Sequence, residues 1–282
     1  MSNLQPVPYR ALMWKLKAFT KASHALPTIA VSLVISAFGW SLGWSGWSLF
    51  AVFITILIGQ LSVGWSNDAF DSTLDARVGR TTKPTVTRDV SANSLWIAAF
   101  VALTIAIVLS WLVAGWLGGS FHVFAILMAW LYNVRLSRTI WSWLPYALAF
   151  GAMPAFLSFG FNDQPPTLWS VAVFSIVGVS AHLANALPDS ESDTAAGLGG
   201  LVVRLGDRRS IVLCWLLLAL GSGILASVSF STHPWIALIV VVTFTIAVLL
   251  GSRSRRRSAV FNALLAVVAV DVAMLVVTTA LD

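Results

Sequence analysis

Every one of the 17 Lys and Arg residues lies in a gap between long apolar runs, and only in alternate gaps. The runs cover approximately 25–42, 48–66, 94–117, 120–134, 141–161, 168–188, 211–229, 234–251 and 259–281. Arg10, Lys15, Lys17 and Lys21 precede the first run, and Arg77, Arg80, Lys83 and Arg88 lie between the second and third. Arg135 and Arg138 follow the fourth, Arg204, Arg208 and Arg209 the sixth, and Arg253, Arg255, Arg256 and Arg257 the eighth. The gaps near 43–47, 115–120, 162–167 and 230–233 hold none. Lys and Arg are retained on the cytosolic side of a bilayer, so this alternation predicts topology. The expectation is an all-α, polytopic membrane protein with nine transmembrane helices, the N-terminus in the cytosol and Asp282 outside. Composition agrees, with 58% hydrophobic and only 10% charged residues, where soluble domains carry roughly 25% charged. That excludes a soluble enzyme, a disordered chain and a disulfide scaffold. The apolar runs are continuous rather than alternating, which excludes an outer-membrane barrel. Residues 1–282 read as one integral-membrane domain, with 1–21 a cytosolic leading segment too basic and mixed for a cleavable signal. The net charge of +6 reflects this topology and not a nucleic-acid partner.

Local features refine the spans. Pro145 and Pro154 predict a kinked fifth span, and the Gly118–Gly119 pair predicts the turn into the fourth. Trp44, Trp47, Trp116, Trp169 and Trp235 fall near predicted outer span ends, as interfacial belts require. Cys214 stands alone in an apolar run and reads as a packing residue. The run Arg253-Ser254-Arg255-Arg256-Arg257 is explained by topology. His122, His182 and His233 are scattered and form no metal-site pattern.

The acidic residues are as unevenly placed as the basic ones. Asp68, Asp71, Asp75, Asp89, Asp189, Glu191, Asp193 and Asp207 share the basic side, Asp163 and Asp282 the other, and Asp271 alone sits inside a span. The first cluster runs Asn67-Asp68-Ala69-Phe70-Asp71-Ser72-Thr73-Leu74-Asp75 at the end of the second span. On a continuing helix, Asp68, Asp71 and Asp75 share one face, with Asn67 one turn before Asp71. The second cluster, Asp189-Ser190-Glu191-Ser192-Asp193, follows the sixth span and again places two acids one turn apart. Carboxylates on one face repel unless a cation sits among them. Two such faces at one end of a bundle make a hard-oxygen site of the kind Mg²⁺ prefers, with room for phosphate oxygens. The nearby Lys and Arg then read as phosphate ligands. A calcium loop is excluded, because its glycine and terminal glutamate are missing.

Asn67-Asp68-x-x-Asp71-x-x-x-Asp75, followed by Arg77, Arg80-Thr81 and Lys83-Pro84, resembles the first signature of the UbiA superfamily of intramembrane prenyltransferases. Asp189-x-x-x-Asp193 resembles the second. The likeness covers essentially the whole chain, and the two motifs together are specific where either alone is not. It implies nine helices around a central cavity opening to the cytosol. It also implies Mg²⁺-dependent transfer of a polyprenyl group from a prenyl diphosphate to a small, often aromatic, acceptor. By the same resemblance Asn67, Asp68, Asp71, Asp75, Asp189 and Asp193 hold the Mg²⁺, with Asp68, Asp71, Asp189 and Asp193 essential to catalysis. Lys83, Arg77, Tyr132 and Arg138 are then the diphosphate contacts. Similar proteins carry an Arg near the start of the first span to meet an acidic acceptor. Here the stretch is Lys21-Ala22-Ser23-His24, so Lys21 and His24 stand in the acceptor-side positions, with Asp271 a third candidate. The Gly197-x-Gly199-Gly200 stretch reads as a turn at the active-site entrance. Other members prenylate non-aromatic acceptors or transfer phosphoribose to a polyprenyl phosphate, and these remain the nearest alternatives. A transporter is the rival of another class, but transport carboxylates belong near the bilayer midplane, where only Asp271 is placed.

Overall fold

The computed structural model describes residues 8–195, 197–253 and 257–281. The expected outer position of Asp282, and Arg255 and Arg256 of the basic run, fall outside those residues. The described residues form helices and connections without strands: α1 (Pro8–Ala22), α2 (Ala25–Ser41), α3 (Gly46–Arg77), α4 (Ala92–Leu131), a π-helical turn (Tyr132–Leu136), α5 (Leu144–Gly151), α6 (Met153–Asn162), α7 (Leu168–Ala186), α8 (Ser190–Ala195), α9 (Leu201–Leu205), α10 (Asp207–Phe230), α11 (Pro234–Arg253) and α12 (Arg257–Leu281).

Helix α3 has 32 residues, where a bilayer core needs only about 20. Its surplus turns carry Asn67 to Asp75 beyond the apolar run, so the first acidic cluster is helical, as its spacing predicted. The fifth span is broken at Ala152, and each proline opens a helix: Pro145 lies in the first turn of α5 and Pro154 in that of α6. Neither therefore costs an internal hydrogen bond.

The third and fourth predicted spans are joined differently from expectation. Helical assignment is continuous from Ala92 to Leu131, yet Ala114 and Gly115 depart from helical dihedrals, Gly115 at φ 65 and ψ −176. In one straight helix, residues twelve apart lie about 18 Å apart along the axis. Here the Ser110 hydroxyl is 2.7 Å from His122 Nδ1, and Trp111 donates to the Ser120 hydroxyl at 3.2 Å. The chain therefore folds back at Ala114–Gly115 into two antiparallel arms. The turn is not at Gly118–Gly119. Those glycines lie in the second arm and permit close packing: a Cβ on Gly119 would stand 2.5 Å from the Ser110 carbonyl oxygen.

By length and apolar composition, fewer than nine helices among the described residues qualify as spans. Among the described residues, five helices are long and apolar enough to cross a membrane, or six if the bent pair α1–α2 forms one span. The segment Ala92–Leu136 counts as one of the five, although its two arms fold back on each other. Pro234–Leu250 and Ala266–Leu281 are shorter apolar helices.

The bundle is apolar outside and carries small polar side chains inside. Leu26, Trp47, Leu112, Trp116, Leu168 and Phe230 face outward, while Ser62, Ser66, Ser110, Ser180, Ser210 and Ser222 are buried. Small residues let helix backbones approach in a membrane, where hydrophobicity alone does not drive association. Most of these buried hydroxyls return their protons to their own helix, as Thr55 does to the Ala51 carbonyl at 2.7 Å, while Ser222 donates to another helix. An apolar core of Ile35, Phe38, Val52, Ile56, Phe156, Leu157, Phe174, Leu225 and Leu275 joins the helices away from the acidic end.

At the acidic end, α1 and α2 meet at 64°, with His24 at the corner in the left-handed region, φ 52. The corner lies directly against α3, because Gly64 has no side chain there. A Cβ on Gly64 would stand 2.5 Å from the Ser23 carbonyl oxygen. Asp68 follows Gly64 by one turn on the same face, so this contact brings His24 to the first acidic cluster.

The fold-back at Gly115 predicts that compartment reporters fused after residues 90 and 138 report the same side of the membrane, and one fused after 118 the opposite side. Opposite sides for 90 and 138 would mean a single crossing from Ala92 to Leu136.

Candidate active site

Two cavities meet inside the bundle. The first lies at the acidic end and is lined by His24, Asn67, Asp71, Arg80, Lys83, Tyr132, Arg138, Asp189 and Asp193, among others. The second runs between the spans and is largely apolar, with Val31, Ile35, Ile56, Ile126, Phe150 and Met153 in its wall. Tyr132, Tyr146 and Asn185 line both. The Tyr132 and Tyr146 rings meet edge to face at 5.1 Å, and the Tyr146 and His182 rings lie 4.8 Å apart. A polar chamber and an apolar chamber therefore share one aromatic wall.

The acids of both motifs are drawn to the polar chamber, and each of four is paired with a cation. Asp68 is fully buried and accepts from Lys83 Nζ at 2.5 Å and from His24 Nε2 at 3.0 Å through the same oxygen. Asp71 accepts from Arg138 at 2.6 Å, and that guanidinium also lies 5.8 Å from the Phe70 ring centre. Arg80 joins the two motifs: it donates to Asp75 at 3.2 Å and to Asp193 at 2.7 Å. The Asp75 carboxylate is fully buried and lies on the far side of that link. Burial pushes the Asp193 carboxyl above its ordinary value, with the charge of Asp189 adding to it and Arg80 opposing. Burial acts against the Arg80 guanidinium, but Asp193, Asp75 and Asp189 outweigh it and hold its pKa above the ordinary value.

The residues expected from sequence divide into two groups. Asn67, Asp71, Lys83, Tyr132, Arg138, Asp189 and Asp193 line the polar chamber, and Asp68 and Asp75 stand behind it on Lys83 and Arg80. His24 also lines it, but its ring turns to Asp68 and lies 3.3 Å from Lys83 Nζ. It thus belongs with the acidic cluster instead of standing apart on an acceptor side. Arg77 and Lys21 are exposed and line neither chamber. Asp271 is buried between helices, accepts from the Ser222 hydroxyl at 2.6 Å, and lines neither chamber. Its position is that of a polar contact between α12 and α10, beside the Ser229–Thr278 contact at 2.9 Å.

Sequence reasoning assigned no role to Arg80 beyond its place in the motif, and none to Asn133, Tyr146, His182 or Asn185. Asn133 is buried, donates to the Val63 carbonyl and the Ser66 hydroxyl, both at 2.9 Å, and accepts from Asn67 at 3.2 Å. It thereby fixes the amide that opens the first motif. Its polarity directly after Tyr132, at the end of an apolar run, was the available signal. Gly199 and Gly200 lie against the Arg138 and Ser137 carbonyls, where Cβ atoms would stand 3.3 and 3.1 Å away. Gly200 lines the chamber, so this turn does border the site.

The donor set fits Mg²⁺. It consists of carboxylate and amide oxygens, and the second oxygens of Asp68 and Asp75 are buried without a hydrogen-bond partner. Hard cations take such ligands. As the side chains stand, no three His, Cys, Asp or Glu among the described residues are gathered closely enough to hold an ion. Arg80, Lys83 and Arg138 occupy the carboxylates instead.

The sequence profile of the UbiA prenyltransferase family matches residues 25–279. The chain belongs to the UbiA prenyltransferase family. Its fold is similar to that of a UbiA homologue from Archaeoglobus fulgidus bound to GPP and Mg²⁺, with a TM-score of 0.73 and 15% identity over 93% of this chain and 99% of that one. It is also similar to a UbiA homologue from Aeropyrum pernix K1, with a TM-score of 0.68 and 15% identity over 88% of this chain and 98% of the other. A structure of digeranylgeranylglyceryl phosphate synthase aligns with a TM-score of 0.68 and 16% identity, covering 95% of this chain and 99% of that one. At such identities the likeness is one of fold. A protoheme IX farnesyltransferase from Chloroflexus aurantiacus is 26% identical over 154 residues, which is 53% of this chain and 26% of that protein. This UbiA-family chain is thus an integral membrane protein of the polytopic UbiA fold.

Arg80 provides a test of the coupling between the motifs. Arg80→Met removes one cation from two acids and leaves Asp75 buried and unpaired, at a cost on the order of 3 kcal/mol. The expected result is a lower Tm in metal-free buffer that is partly restored by Mg²⁺ and not by Na⁺. An unchanged Tm in metal-free buffer would show that the Arg80 pairs do not hold the motifs together.

Proposed function

We propose that the protein transfers a prenyl group from a prenyl diphosphate to an acceptor within the membrane, with Mg²⁺ at the carboxylate cluster. The observation that carries this reading is the shared wall of the two chambers. A prenyl diphosphate has one strongly anionic end and one hydrocarbon end. The polar chamber offers Arg80, Lys83 and Arg138 to the first, and the apolar chamber accepts the second. The carbon that changes partners then lies near Tyr132, Tyr146 and Asn185. The A. fulgidus homologue of the same fold was solved with GPP and Mg²⁺, which supports the choice of ligand.

Within this reading Asn67, Asp68, Asp71, Asp75, Asp189 and Asp193 hold the metal. Bound Mg²⁺ supplies positive charge to a diphosphate leaving group. Arg80, Lys83 and Arg138 are donors aimed at the same charge, and Tyr132 closes the chamber at the boundary. Their ion pairs with the carboxylates keep both sets of groups in place before substrate enters. A diphosphate would take up these cations and so leave the carboxylates free to hold a metal ion. The apolar wall excludes water from the departing allylic carbon, so that the acceptor and not water is prenylated. We also propose that this end of the bundle and the N-terminus face the cytosol, with the C-terminus opposite, a reading supported by the position of the basic gaps.

Transport fits less well. Asp271, the acid that the sequence places inside a span, is bonded to Ser222 and lines neither chamber.

Binding of geranyl thiolodiphosphate, which resists ionisation, tests the site without knowledge of the acceptor. The protein is expected to bind it in Mg²⁺ and not in EDTA. Asp71→Ala and Asp193→Ala should each weaken binding at least tenfold, about 1.4 kcal/mol, while Asp271→Asn leaves it unchanged. Metal-independent binding, or full affinity in both Ala variants, would refute the assignment.

A further inference from the structure

The apolar chamber contains two hydrogen-bonding groups that neither the packing of the bundle nor the diphosphate end uses. None of its lining residues carries a formal charge. Asn133 in its wall is spent on Val63, Ser66 and Asn67. Gln60 is different: it is half-buried, lines the chamber, and its side-chain amide has no hydrogen-bond partner among the described residues.

His122 is the second group. It lines the same chamber and is 3% exposed. The Ser110 hydroxyl donates its only proton to the Ala106 carbonyl at 2.6 Å. The 2.7 Å contact between Ser110 Oγ and His122 Nδ1 is satisfied together with the Ala106 bond in the tautomer whose Nδ1–H is the donor. A buried imidazole without a carboxylate against it is neutral. Its Nε2 is then a bare acceptor, and among the described residues it has no partner. Phe156 stacks on the ring at 4.8 Å and fixes its plane. The two groups lie at one level: a Cβ on Gly59, beside Gln60 in α3, would stand 3.4 Å from His122 Cε1. That level is two helical turns, about 10 Å, from Asn67 and the diphosphate end.

A hydrocarbon tail offers nothing to an amide and an imidazole lone pair, and leaving both unmet in an apolar cavity is unfavourable. We propose that Gln60 and His122 form the acceptor subsite, and that the acceptor is an uncharged, largely apolar ring carrying a hydroxyl. The hydroxyl donates to His122 Nε2 and accepts from the Gln60 amide. The absence of Lys and Arg from the chamber wall excludes a carboxylate at this depth. The assignment of the bound molecule as an acceptor rests on the prenyl-transfer reading above.

The test compares 1-naphthol with 1-methylnaphthalene, which has the same shape without the hydroxyl. Binding is measured by calorimetry on the full chain in nanodiscs, with Mg²⁺ and saturating geranyl thiolodiphosphate, and with empty nanodiscs subtracted. A site built around a hydroxyl rejects the analogue lacking it, so the naphthol should bind at least tenfold more tightly. Gln60→Leu and, independently, His122→Phe should abolish that preference while Tm stays within a few degrees and the naphthalene probe still binds as it does to the wild type. Equal binding of the two probes by the wild type overturns the proposal, as does undetectable naphthol binding. Variants that keep the preference, or that instead change the preferred length of a thiolodiphosphate tail, also overturn it. If the wild type discriminates between the probes but does not bind the thiolodiphosphate, the hydroxyl site stands and its role as an acceptor site falls with the prenyl-transfer reading.

Discussion

Carboxylates crowded at the end of an apolar bundle repel one another, and burial adds to the cost of each charge. The arrangement around them is organised by the need to meet that cost. Asp68 has Lys83 and His24, Asp71 has Arg138, and Asp75 and Asp193 share Arg80. The partners come from outside the acidic motifs: the His24 imidazole from the corner between α1 and α2, and the cations Arg80 and Lys83 from the connection after α3 and Arg138 from the connection after the π-helical turn. Each connection is therefore held to the end of α3 by charge. The same cations suit a diphosphate, so the groups that stabilise the acids are also those that would receive the substrate.

This arrangement depends on backbones approaching closely. Gly64 lets the Ser23 carbonyl lie against α3, and Trp65 fixes α1 by donating to the Phe19 carbonyl at 2.9 Å. His24 can then turn the chain through a left-handed conformation that is uncommon for a residue with a side chain. The strain is offset where the imidazole meets Asp68. On the opposite side of α3, the fold-back at Gly115 returns the second arm of α4, and with it His122, Tyr132 and Asn133, to the chambers.

Much of this was legible in one dimension. Alternating charge reported the membrane, and the spacing of Asp68, Asp71 and Asp75 reported a shared helical face, because both depend only on sequence separation. The convergence of Asp75 and Asp193 on one guanidinium was not legible, since it depends on two connections meeting in space. For the same reason the sequence puts His24 beside an acceptor when its ring lies on Asp68, and points to Arg77 and Lys21 although neither lines a chamber. Gly118–Gly119 reads as a turn because glycine favours turns. In a membrane bundle glycine also serves close packing, and Gly115 is the residue whose backbone reverses the chain. Gln60 and His122 carried no sequence signal, because their significance comes from having no partner.

Two chambers that share a wall also imply two exits. In the proposed reaction a molecule with a charged head and a greasy tail gives up its head as a highly charged diphosphate, while the tail joins the acceptor in a largely lipophilic product. The diphosphate retains only the polar chamber's contacts, and the product only the apolar chamber's. Neither inherits the combined hold that the intact donor had on both. Each would thus be bound more weakly than the donor, and each suits a different solvent, the diphosphate water and the prenylated product lipid. In such an enzyme the two products do not compete for a common way out, and accumulation of prenylated product in the bilayer would slow turnover without raising the diphosphate's occupancy of its own chamber.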